Sequence, residues 1–117
     1  MRILVTTLLI LLSSIVFAQT DVSDCMDNIK VPKSFTPNGD GANDVLKIEF
    51  PCPAKKFEFQ VLNRWGQVIY SSKNPAFEWD GKDANNNNLE LGVYHWRIIF
   101  KYQKTSYTKE GQFTLIR

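Results

Sequence analysis

The run GVYHWRIIFKY, residues 92–102, limits what this chain can become more than any other stretch. Tyr94, Trp96, Ile98, Phe100 and Tyr102 fall on one side of a pleated backbone, while His95, Arg97 and Lys101 fall on the other. Side chains on a strand alternate with a period of two, so this run reads as a strand with one buried and one wetted face. The same alternation recurs. Leu46, Ile48 and Phe50 alternate with Lys47 and Glu49, and Phe57, Phe59 and Val61 with Glu58 and Gln60. Val68 with Tyr70, residues 77–80 and residues 111–116 give shorter signals of the same kind, rich in β-branched and aromatic side chains. No stretch beyond residue 18 shows a helical period.

Turn-forming residues punctuate these runs at 37–41, 63–66, 80–88 and 103–106. The spacing is about one turn every ten to fifteen residues, and six or seven short strands fit in about 90 residues. This predicts an all-β fold, an immunoglobulin-like antiparallel β-sandwich.

The first residues are of another kind. MRILVTTLLILLSSIVFA places one Arg before an apolar run and ends on small and apolar residues, with Val16, Phe17 and Ala18 at the cut. This reads as a secretory signal peptide over residues 1–18, cleaved between Ala18 and Gln19. The competing reading is a retained anchor, but Ser13 and Ser14 interrupt a run already short of the roughly 20 residues that span a bilayer. Residues 19–30 then form a polar lead-in, and 31–117 form the domain, with no membrane-spanning segment in the mature chain. The formal charge of +2 falls to about +1 without Arg2, and the only basic cluster is Lys55-Lys56. That balance argues against nucleic acid or an anionic membrane as a partner.

The two cysteines, Cys25 and Cys52, both lie in the exported part. An even count in an oxidising compartment favours a disulfide, closing a loop of about 28 residues; two free thiols are the alternative. Cys25 precedes the first clear strand and Cys52 sits between Pro51 and Pro53. Such a bond ties the N-terminal arm to a strand end, unlike the inter-sheet bond of antibody domains.

No catalytic set is legible. His95 is the only histidine, and it sits mid-strand on the polar side. The stretch SFTPNGDGAND, residues 34–44, is richer: Asn38, Asp40, Asn43 and Asp44 offer oxygen-bearing side chains, and Gly39 and Gly41 allow a tight curl. Asn38, Asp40, Asp44 and Glu49 fall at the EF-hand positions one, three, seven and twelve, but Ala42 and Asn43 stand where that loop needs an oxygen and a glycine. Two readings remain: a calcium loop of a β-domain, or Asx turns in which these side chains cap their own backbone. No cofactor is expected to be required, and Ca²⁺ is the one that the first reading would add. A second polar loop, with Asp80, Asp83, Asn85 and Asn87, carries the same ambiguity. Trp79 and Trp96 are expected in the core; Trp65, in NRWG at a hairpin tip, is expected to be exposed and available for contact.

Four segments in order carry a resemblance: SFTPNGDGAND, then FEFQVLNRWGQVIYSS, then WDGKDANNNNLELGVYHWRIIF, and finally GQFTLIR. Together they resemble the gliding-motility-associated C-terminal domain, the type B sorting domain of the type IX secretion system of Bacteroidetes. The residues that carry the match are Phe35, Thr36, Pro37, Gly39 and Gly41; Asn63, Arg64, Trp65 and Gly66; Trp79, Asp80 and Gly81; Gly92 and Tyr94; and Leu115, Ile116 and Arg117. The WDG…GVYHW half also resembles the immunoglobulin-like domain of the flagellar hook-capping protein. The resemblance implies a non-enzymatic delivery function. A Sec-type signal takes the chain to the periplasm, the outer-membrane translocon of the type IX system recognises the folded domain, and the product reaches the cell surface or the medium. The departure is the short lead-in, where family members usually carry long cargo. The alternative expectation is a small calcium-stabilised surface domain that binds or adheres.

Overall fold

The computed structural model describes residues 22–117; the expected leader at 1–18 and the start of the lead-in lie outside them. The elements are α1 (Val22–Asp27), β1 (Ser34–Phe35), β2 (Lys55–Leu62), β3 (Val68–Ser72), β4 (Gly92–Tyr102) and β5 (Thr105–Leu115). The strands form one sheet in the order β1-β5-β4-β2-β3. β4 and β5 pair along their full length, from Tyr102 opposite Thr105 to Gly92 opposite Leu115. Only Gln103 and Lys104 separate them, both with positive φ, 49° and 70°. Two left-handed residues give the loop a twist that matches the twist of the flanking strands.

The inner face of the sheet is the expected one. Phe57, Phe59 and Val61 of β2, Tyr94, Trp96, Ile98 and Phe100 of β4, and Phe113 and Leu115 of β5 are all buried. Against them pack Ile29, Phe35, Leu46, Cys52, Phe77 and Trp79. Phe59 stacks on Phe77 at 4.4 Å between ring centres, and Trp79 lies among Phe35, Tyr70 and Phe113. Burial of aromatic area on this scale is the main force holding so small a domain together.

The chain is all-β in its framework, with three differences from the expected sandwich. First, the segments around 46–50 and 77–80 do not form ladders. They form the second layer through single bridges, Leu46 to Trp79 and Glu49 to Lys30. Changing partner within four residues leaves no room for a ladder, and Pro51, which has no N–H, follows at once. Second, the sheet is mixed rather than purely antiparallel, because β1 runs parallel to the end of β5. Third, the lead-in contains a six-residue helix. A helix so short is not stable alone. It is held by the Cys25–Cys52 disulfide, whose Cα atoms lie 5.1 Å apart, and by Lys109 Nζ, which donates to the Met26 carbonyl at 2.6 Å. Among the described residues, no helix is long and apolar enough to cross a membrane.

Candidate functional site

The three polar loops are built on one device, an Asx side chain that accepts N–H groups from its own loop. In the first, Asp44 Oδ1 accepts from Asn38 at 3.2 Å and Gly39 at 2.9 Å, and its Oδ2 accepts from Gly41 at 2.7 Å. Asn38 Oδ1 accepts from the Asp40 N–H, and Asp40 Oδ1 from the Ala42 N–H. The Thr36 N–H donates to the Asn43 carbonyl and closes the loop. Gly39, Gly41 and Asn43 all have positive φ. A Cβ at either glycine would meet nothing, so backbone conformation, not space, calls for glycine there.

The second loop turns on Asn63. Its Oδ1 accepts from Trp65 and Gln67, each at 3.0 Å, and its Nδ2 donates to Gln67 Oε1. Gly66, at φ 80°, donates its N–H to the Asn63 carbonyl. The third loop turns on Asp83, whose Oδ1 accepts from Asn85 and Asn87 at 2.9 Å each. Asp80 does the same on a smaller scale, accepting from Lys82.

The four calcium candidates, Asn38, Asp40, Asn43 and Asp44, therefore lie in one curl, but the curl points N–H groups inward. A hard cation needs oxygens there instead. In this conformation Oδ1 of Asn38, Oδ1 of Asp40 and both oxygens of Asp44 accept backbone N–H groups, and Asn43 contributes its carbonyl to loop closure. The Gly41 N–H lowers the Asp44 carboxyl most, partial desolvation works against it, and the N–H groups of Gly39, Asn38 and Asp40 add to the lowering.

Strand register brings the three loops to the same end of the sheet. The first loop follows β1, which pairs with Thr114 and Leu115; the second follows Leu62, which pairs with His95; the third leads into Gly92. Gly81 is the joint between the first and third. A Cβ there would stand 3.2 Å from Pro37 Cγ, 3.3 Å from Phe35 Cζ and 3.5 Å from Leu115 Cδ1. The chain end is fastened at the same place. The Ile116 N–H donates to the Phe35 carbonyl, and the Arg117 guanidinium donates to the Leu89 carbonyl at 2.6 Å. Trp79 is buried just before this joint, with its Nε1–H donating to the Lys82 carbonyl. Tyr94 is tied likewise, its hydroxyl donating to the Glu90 carbonyl at 2.6 Å. Its burial pushes the phenol above its ordinary range, Glu90 adds to this, and Arg117 and Arg64 oppose it. Both guanidinium groups thus act on the same ring. At the opposite end of the sheet lie the 103–104 turn and the start of β2, three residues beyond Cys52.

Trp65 is 70% exposed, and the Arg64 guanidinium carbon sits 4.4 Å above its ring centre. Residues 63–65 and 90–94 form the walls of one shallow groove. Sequence reasoning singled out Trp65 but missed the exposed Leu91 and Val93 across this groove. The available signal was Val93 itself, an apolar residue at an outward position of β4. His95, two positions on, is exposed on the same outer face.

No curated protein sequence matches the chain. Among solved structures, PorZ of Porphyromonas gingivalis, described as an essential bacterial surface component of the type-IX secretion system, is similar at a TM-score of 0.59 and 17% identity over 81% of this chain. This chain spans only 12% of the PorZ chain, and the likeness is one of fold. CopC from Methylosinus trichosporium OB3b is similar more distantly, at a TM-score of 0.49 and 11% identity over 74% of this chain and 85% of its own. The profile of the CHU_C Type IX secretion signal domain matches residues 29–115. That match runs from the buried Ile29 of the second layer to the buried Leu115 that closes the sheet, taking in all three Asx loops, and the chain belongs to this family of type IX secretion signal domains.

Proposed function

We propose that this chain is a non-enzymatic sorting module: the outer-membrane translocon of the type IX system reads the folded domain and exports it to the cell surface or the medium. The observation that supports this is the family match, together with the convergence of its landmark segments on one end of the sheet. Phe35 and Pro37, Trp79 to Gly81, and Leu115 to Arg117 come from three separate parts of the sequence, yet a Cβ placed at Gly81 would lie within 3.5 Å of Phe35, Pro37 and Leu115. Recognition of such a surface requires a folded domain, unlike recognition of a linear peptide. Transit through the periplasm before export, gliding motility as the process served, and the translocon as partner belong to this reading.

The experiment is a fusion of residues 31–117 to a fluorescent protein behind the native leader, in a Bacteroidetes host. Fluorescence outside the outer membrane is expected in the intact strain, with periplasmic retention in a strain lacking the translocon. Retention in both strains would sink the reading.

A further inference from the structure

We propose that Arg64, Trp65, Leu91, Val93 and Ile116 form a docking surface for an extended polypeptide segment of the export apparatus that carries a carboxylate beside an apolar side chain. The inference rests on the sorting function proposed above and names the face that serves it.

Five large apolar side chains are strongly exposed among the described residues, and three of them, Trp65, Leu91 and Val93, line this groove. Trp65 is 70% exposed, Leu91 58%, Val93 54% and Ile116 45%. Trp65 stands on one wall of the shallow groove, with Leu91 and Val93 on the other. Ile116 follows Leu115, the partner of Gly92, and so lies at the same end of the sheet. Single exposed apolar residues are ordinary, but several grouped at one end of a small domain mark a contact site.

Charge selects the partner. Arg64 and Arg117 border the patch, and neither makes an ion pair among the described residues. Arg64 spends one face of its guanidinium on the Trp65 ring, and its N–H edge stays available. The three ion pairs of the described residues all lie elsewhere: Lys30 with Glu49, Lys47 with Glu78, and Arg97 with Glu110. Glu90 is the acid beside the groove, and it pairs with neither arginine. Trp and Arg are among the residues most enriched at the energetic centres of interfaces. Its complement is a carboxylate that binds the fork, next to an apolar group that covers the ring and Val93. The groove is shallow, which suits an extended segment.

The test uses the full chain in a Bacteroidetes host, with export scored as the fraction outside the outer membrane. Arg64→Glu, Trp65→Ala and Val93→Asp are each expected to lower export by about tenfold or more, as loss of a hot-spot contact does. Arg64→Lys should lose less, and Lys55→Glu, at the far end of the sheet, should export normally. Purified variants should melt at the wild-type temperature, because these side chains are outside the core. A benzophenone cross-linker at position 91, which leaves Arg64 and Trp65 in place, should capture a polypeptide in the intact strain and lose it when Arg64→Glu is added. Wild-type export of all three patch variants overturns the docking face and leaves the sorting function standing. Export of the wild-type chain that does not depend on the translocon overturns the sorting function itself. A cross-link to polysaccharide, or to a second copy of this chain, overturns the proposed occupant.

Discussion

The indole of Trp96 lies on Gly111, its cross-strand partner in the β4–β5 hairpin. A Cβ at position 111 would stand 2.5 Å from Trp96 Cζ2 and 2.6 Å from Cε2, closer than real atoms approach. Trp96 is itself buried, so the ring cannot swing aside without disturbing the core. Gly111→Ala is therefore expected to destabilise the domain by about 1–3 kcal/mol, the usual penalty for overpacking. Chemical denaturation of the two proteins measures it. Adding Trp96→Leu should make the alanine nearly neutral, so a double-mutant cycle should show strong coupling between the two positions.

Which parts of this structure were legible in the sequence follows from the range of the interactions involved. Tyr94, Trp96, Ile98 and Phe100 announce β4 because every inward position is apolar. β5 hides its first half because Lys109 and Gly111 occupy inward positions, one reaching back to Met26 and the other lying under Trp96. The Asx loops were legible as turns, since Asn and Asp act on backbone a few residues away. The meeting of Gly81 with Pro37 and Leu115 was not, because only the folded sheet order brings positions so distant together. Helix α1 was hidden for a similar reason: six residues carry no period, and what holds them is Cys52 and Lys109.

The hairpin turn offers a stabilising change. Gln103 and Lys104 both hold positive φ, which a side chain disfavours by about 1–2 kcal/mol per residue in the left-handed region. Asn-Gly adopts this two-residue turn readily. Gln103→Asn with Lys104→Gly is expected to raise stability by about 1 kcal/mol, after allowance for the added freedom of glycine in the unfolded chain. A shift of the denaturation midpoint to higher denaturant, at unchanged slope, would bear this out.

Calcium is expected to leave the melting temperature where it is. A site-bound ion stabilises the folded state in proportion to its occupancy. The oxygens of Asn38, Asp40 and Asp44 already accept backbone N–H groups, which compete with a cation for them. Thermal melts in millimolar calcium and in chelator should coincide. A rise with calcium would overturn this expectation and assign an ion to one of the polar loops.

Acid should act on that loop through Asp44. The Gly41 N–H, with those of Gly39, Asn38 and Asp40, holds its carboxyl below the usual carboxylate range against partial desolvation. The folded state therefore binds this proton less readily than the unfolded state. The stabilisation is present in full above the unfolded pKa and is lost as pH falls through the lower, folded one. Asp44→Ala should destabilise the protein at pH 7 and flatten the fall in stability between pH 5 and pH 2, approximate limits set by the ordinary Asp pKa of about 3.9. Equal slopes for the two proteins over that window would remove Asp44 from the account.

The disulfide should matter most where the helix is. Cys25 and Cys52 close a loop with a sequence separation of 27, and the chain-entropy relation assigns a loop of that length about 3.5 kcal/mol. Cys25→Ser with Cys52→Ser is expected to lose roughly that much, measured by denaturation against the oxidised wild type. The loss should be felt first in α1, which keeps only its packing and the Lys109 bond once the covalent tie is gone. Amide exchange in residues 22–29 should then rise ahead of exchange in β4 and β5, whose ladder the disulfide does not touch. The loop end of the sheet, built by Gly81, Phe35 and Leu115 without help from either cysteine, should keep its protection. If protection fell equally at both ends, the two ends would be one cooperative unit, and the staple would act on the whole domain rather than on its N-terminal arm.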